Sequence, residues 1–177
     1  MFFSKKRNDS EPPPPASPEP PPEFIFIRKA LLVVDGSQPA LDAAEFAVNF
    51  ARQTNCCLCA AFVVDTATLN YLQQMHIFVS EERQELEEDL QRKGRRYLAA
   101  VQELGKKYDL QVETHICQGR FHQVILALAR KLEVDLIITG GWKHEIKQKD
   151  SSSIERQLIM DLAECPVIVV KKAEKRQ

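Results

Sequence analysis

Apolar residues run along this chain in blocks whose period changes from one segment to the next. Phe24 to Val34 (FIFIRKALLVV) opens the ordered pattern, and its Ala30–Val34 portion is continuously apolar. A strand covered on both faces reads this way. Asp35-Gly36-Ser37 then turns the chain, with Ser37 placed to cap a helix and Pro39 in the first turn. Leu41, Ala44, Val48 and Ala51 follow at helical spacing, and Thr54-Asn55 ends that helix. Cys57 to Val64 is a second apolar strand, closed by Asp65.

The stretch Thr66 to Val79 carries scattered apolar residues and is too long for a plain loop, so part of it is expected to be helical. Ser80 begins a long charged helix to about Lys107, with Leu86, Leu90, Tyr97, Val101 and Leu104 as its buried stripe. Gln111 to Cys117 alternates like a more exposed strand, and Gly119 turns the chain. Phe121 to Leu132 reads as a helix facing inward through Val124, Ile125, Leu128 and Leu132. Asp135 to Thr139 is a buried strand. After a basic polar loop, Ser152 and Glu155 form an S-x-x-E capping box. The helix it opens presents Ile154, Leu158, Ile159 and Leu162, and Pro166 to Val170 is the last strand.

Alternation of this kind predicts an α/β fold. We expect an open, five-stranded, mainly parallel sheet with helices on both faces, Rossmann-like, with ligand space beyond the carboxyl ends of the strands. The domain spans residues 24–172, between a tail at 1–23 and a basic C-terminal tail at 173–177. The first tail holds eight prolines between Pro12 and Pro22, which favours extended polyproline II over core packing. Its tip, Met1-Phe2-Phe3 before Lys5, Lys6 and Arg7, has the chemistry to dock on a protein or a membrane surface; the alternative is a disordered terminus.

Composition narrows the function. Net charge is −1, so no global field favours nucleic acid. The basic half of the long helix is balanced by its acidic half, which reads as a solvated face. No apolar run is long enough to span a bilayer, and the start lacks the apolar core of a signal peptide, so a cytoplasmic protein is expected. The five cysteines fit that compartment as small buried hydrophobes. Without histidines at zinc spacing, no metal site is expected. His76, His115, His122 and His144 are scattered, and no Ser/His/Asp or Cys/His arrangement suggests a catalytic site.

Four segments carry a resemblance: KALLVVDGSQPALDAAEFAVNFA at 29–51, LCAAFVVD at 58–65, QGRFHQVILALARKLEVDLIITGG at 118–141, and CPVIVVK at 165–171. Together they resemble the universal stress protein (UspA) family, whose members have an adenine-nucleotide alpha hydrolase-like architecture. One group in that family binds ATP through G-x-x-G-x9-G-(S/T) after the fourth strand, and another lacks the motif. Here Gly140 holds the first position. Lys143 replaces the second glycine, Ser153 the third, and Ile154 the hydroxyl residue, while the loop length is kept. Side chains at Lys143 and Ser153 crowd a phosphate, and the capping box would turn Glu155 onto the donors an anion needs. Lys143, His144, Lys147 and Lys149 would attract an anion.

If a nucleotide binds, the resemblance implies Asp35, Val63, Gly140, Gly141, Lys143, Ser152 and Ser153 as its contacts. Trp142, the only tryptophan, would plug that pocket, face a partner or pack locally. The resulting expectation is a non-enzymatic, stress-related regulatory or binding protein with a degenerate motif and no cofactor, ATP being the exception to test. The resemblance also implies a homodimer through the Pro166–Val170 strand. Two alternatives stand beside it: an ATP/AMP-binding switch, and an accessory subunit tethered to a larger complex by the 1–23 tail.

Overall fold

The computed structural model describes residues 26–77, 79–141 and 151–171, with the main chain alone at 151–153. Its elements are β1 (Lys29–Val34), α1 (Gln38–Thr54), β2 (Cys57–Val64), α2 (Thr66–Gln74) and α3 (Ser80–Lys106). They continue with β3 (Val112–Gln118), α4 (Phe121–Leu132), β4 (Leu136–Gly140), α5 (Ser151–Leu162) and β5 (Val167–Val170). The five strands form one sheet in the order β3-β2-β1-β4-β5, and every pairing is parallel.

β1 lies at the centre, which explains its uninterrupted apolar run: Ala30 to Val34 are buried and point alternately to two cores. On one face Ala30, Leu32 and Val34 pack with Ala43, Ala44, Ala47, Val48 and Ala51 of α1 and with Leu98 and Val101 of α3. On the other, Leu31 and Val33 pack with Ile125, Leu128 and Ala129 of α4 and Ile159 of α5. Each fully buried Leu or Ile contributes roughly 1.5–3 kcal/mol by leaving water. Asp135 fixes the start of the sheet, since its Oδ2 accepts from the Arg28 and Lys29 N–H groups at 2.8 and 3.0 Å.

The alanine stripe lets α1 lie close to the sheet, so Leu41 is only half-buried. The crossover after β2 is helical as expected, with Asp65 capping α2 by accepting from Thr68 N at 3.1 Å. In α3 the fully buried line is Gly94, Leu98, Val101 and Gly105, with Leu86, Leu90, Tyr97 and Leu104 flanking it. Gly94 is required by close approach: a Cβ there would meet the Phe62 ring at 2.4 Å. In α4, Val124 and Leu132 are half-buried, while His122 and Leu126 join Ile125, Leu128 and Ala129 in the interior.

Three expectations need correction. Ile154 and Leu162 are 49% and 51% exposed, so they do not belong to the buried face of α5; Arg156 is buried beside Ile159 instead. α5 begins at Ser151, so Ser152 lies inside the helix, and Glu155 is engaged by α4 and not by a capping box. Cys57 is exposed, unlike the buried Cys56 and Cys59. In α5 the charged residues turn inward because they have partners there, which hydrophobic periodicity does not register.

Candidate functional site

The carboxyl ends of the parallel strands gather on one side of the sheet, the usual ligand side of an open α/β fold. Asp35 follows β1, Gly140 ends β4 and Gly141 follows it. Val63, the penultimate residue of β2, is buried on the α4/α5 face. Ser152 and Ser153 lie in the first turn of α5. Lys143, with Trp142, His144, Lys147 and Lys149, lies outside the described residues.

Asp35 is held from two directions. Its Oδ1 accepts from the Ser37 N–H at 2.9 Å, and Arg156 Nη2 on α5 donates to its Oδ2. The two side chains are 23% and 10% exposed, so the pair is largely withdrawn from solvent. Glu155, one residue earlier on α5, turns toward α4. Its Oε2 accepts from the His122 N–H at 2.9 Å and lies 2.6 Å from His122 Nδ1. Arg120, the N-cap of α4, supplies no side-chain bond, so Glu155 caps that helix from a distance. The positive end of α4 is thereby met by a carboxylate of the protein itself.

Gly140 has a packing reason of its own. A Cβ there would lie 2.4 Å from the Pro39 carbonyl carbon and 2.7 Å from the Ala40 nitrogen. The first turn of α1 rests directly on the end of β4, and only hydrogen fits between them. The glycine therefore does not by itself signify phosphate. Beside this region is an open cleft of about 340 Å³ lined by Asp65, Ala67, Thr68, Tyr71, Arg120, Ile154 and Glu155.

A model of the universal stress protein family matches residues 27–171. The chain belongs to that family. A universal stress protein of Methanocaldococcus jannaschii is 29% identical over 150 residues, 84% of each chain. Among solved structures, the chain is similar to the universal stress protein UspA of Lactobacillus plantarum. The TM-score is 0.64 at 24% identity, over 82% of this chain and 98% of that one. It is also similar to an Arabidopsis thaliana family member with AMP bound, at TM-score 0.58 and 16% identity, over 82% and 92% of the two chains. These likenesses establish the α/β fold. Within this universal stress protein domain, Asp35, Gly140 and Gly141 sit at the carboxyl ends of the adjacent strands β1 and β4. Arg156 was missed, because a charged residue in an amphipathic helix reads as solvated.

A second cluster lies toward the amino ends of β2 and β3. Their register pairs Cys59 with Glu113 and Ala61 with His115, so Cys59, Glu113 and His115 share one face of the sheet. Cys59 Sγ is 3.7 Å from Glu113 Oε2, and His115 Nε2 is 3.1 Å from Glu113 Oε1. Burial first, then the Glu113 charge, pushes the Cys59 thiol up to about 11, with Lys29 opposing. Burial likewise raises Cys117 and Cys165. The sequence signal for this cluster was E-x-H on one strand beside C-x-C on another. Neither is a zinc motif alone, and only the parallel register joins them.

Proposed function

We propose that this universal stress protein is a non-enzymatic regulatory or binding protein whose strand-end site does not take ATP in the way of the motif-bearing group. The Arg156–Asp35 pair carries this reading. Asp35 is the acid that the family resemblance places beside nucleotide, and here a guanidinium from the same chain already engages it. A ligand competing for Asp35 would leave the largely buried Arg156 without its partner, a cost of several kcal/mol. Two further features point the same way. Glu155 covers the α4 N-terminus, and Lys143, Ser153 and Ile154 depart from the phosphate motif.

Calorimetry of the full chain with ATP and Mg²⁺ tests the reading. No saturable heat is expected, and saturable binding would overturn it. A second reading, a nucleoside monophosphate switch, is favoured by the open cleft lined by Arg120, Asp65 and Thr68 and by the AMP-bound Arabidopsis relative. Saturable heat with AMP but not ATP would select it. Association into a homodimer through β5 belongs to the same proposal, supported by the edge position of that strand. No described helix is long and apolar enough to cross a membrane.

A further inference from the structure

We propose that Cys59, Glu113 and His115 form a binding site for a thiophilic divalent cation, Zn²⁺ by its chemistry, at the opposite end of the sheet from the nucleotide region. The ligand atoms of all three lie within 4.8 Å of one another. Zinc takes sulfur at about 2.3 Å and nitrogen or oxygen at about 2.0–2.2 Å, so tetrahedral neighbours stand roughly 3.3–3.6 Å apart. The separations here, 3.7 Å from sulfur to oxygen and 3.1 Å from nitrogen to oxygen, bracket that range. One carboxylate oxygen faces the sulfur and the other faces the imidazole, so a cation among them needs little side-chain movement.

A separate observation points to the same place. His115 Nε2 is buried and has no hydrogen-bond partner among the described residues. It lies 3.1 Å from Glu113 Oε1 without forming a hydrogen bond to it. Buried polar nitrogens in folded proteins almost always have a partner, and metal coordination would supply one. Cys59 is 1% exposed, and a buried thiolate there needs a compensating charge. Zn²⁺ with one thiolate, one carboxylate and a neutral imidazole makes a neutral unit. The sulfur, nitrogen and oxygen set favours Zn²⁺ over Mg²⁺ or Ca²⁺, which prefer oxygen alone.

Access is open. Cys57, Cys59 and Glu113 line a groove of about 790 Å³ at the start of β2 and β3. Both strands are rigid elements of the sheet, which holds two ligands on β3 and one on β2 in fixed register. Three protein ligands leave a fourth position to water, the arrangement of an open zinc site.

The test uses the full chain stripped with chelator and then titrated with Zn²⁺, and separately with Co²⁺ as a spectroscopic probe. One equivalent of Zn²⁺ is expected to bind, and Co²⁺ is expected to give tetrahedral ligand-field bands with a thiolate charge-transfer band. Cys59→Ser should abolish the charge-transfer band. Glu113→Gln and His115→Gln should each weaken Zn²⁺ by tenfold or more, while Cys57→Ser leaves binding intact. Cys59→Ser touches the core, whereas Glu113→Gln and His115→Gln alter an edge strand, so the pair keeps the test decisive if the first variant folds poorly. Absence of stoichiometric Zn²⁺ binding overturns the proposal. So does a Co²⁺ spectrum unchanged by Glu113→Gln and His115→Gln.

Discussion

Arg156 on α5 donates to the carboxylate of Asp35 at the end of β1, tying together two residues 121 positions apart. The side chains are 10% and 23% exposed, so neither charge is well hydrated once its partner is gone. Arg156→Gln should therefore destabilise the domain by about 2–3 kcal/mol, below the roughly 3–5 kcal/mol of a fully buried pair because Asp35 keeps some solvent. Asp35→Asn together with Arg156→Gln should recover part of that loss. Urea unfolding of the two single variants and the double variant gives the coupling directly. Strictly additive losses would rule out the pair as an energetic unit.

Gly140→Ala tests whether the first motif glycine is held by packing. The added methyl group would overlap the Pro39 backbone, and backbone cannot move aside as a side-chain tip can. A loss of about 1–3 kcal/mol is expected with no nucleotide present. A thermal midpoint unchanged in nucleotide-free buffer would refute the close contact. It would also restore phosphate as the reason for the glycine.

Glu155 makes its two contacts with His122 on α4, so its removal should be felt on a helix other than its own. Glu155→Ala should cost about 1–2 kcal/mol, the size of a lost N-cap. The His122 amide should exchange with solvent markedly faster. Glu155→Gln keeps one acceptor oxygen and should cost less. Faster exchange confined to the first turn of α5 would instead return Glu155 to its own helix.

These contacts mark where the sequence stops being informative. The order of elements along the chain, the parallel pairing and the helix positions were legible, because continuous apolar runs, Ser37 with Pro39 and the alternation of elements each have a local cause. Asp35, Gly140 and Gly141 were legible through a family pattern. Arg156 and Glu155 were not, because each acts on a residue more than thirty positions away and hydrophobic periodicity is blind to pairing. Ile154 and Leu162 misled for the complementary reason: apolar spacing suggested burial, and the structure gives them to solvent. The Cys59–Glu113–His115 cluster needed the register of two strands 54 residues apart.

Cys59 makes stability depend on alkaline pH in a definite direction. Its thiol is pushed from 9.0 to about 11, chiefly by burial and then by Glu113. Between those values the unfolded chain gives up a proton that the folded chain keeps. The unfolded state is favoured as pH rises, so the contribution is intact below pH 9 and is lost toward pH 11. Two pKa units correspond to about 2–3 kcal/mol. Other groups titrate in this window, so the measure is the difference between wild type and Cys59→Ala, both metal-free, at pH 8 and pH 11. The wild type should lose more. Equal losses would mean that Cys59 is not set apart from an ordinary thiol.

β5 is one of the two edge strands, paired with β4 in the sheet, and Val169 stands opposite Thr139 in its register. The outer backbone groups of such an edge offer a template for another strand. Residues Val167–Val170 are half-buried in the single chain, and Leu162 at the end of α5 is 51% exposed nearby in sequence. A two-fold copy pairing through β5 would use both. Val169→Lys should block that association by placing a charge where the copies meet. Sedimentation at micromolar concentration should give a dimer for the wild type and a monomer for the variant, with the monomer's circular dichroism unchanged. A wild type that sediments as a monomer, or a variant that remains dimeric, would exclude β5 as the joining edge.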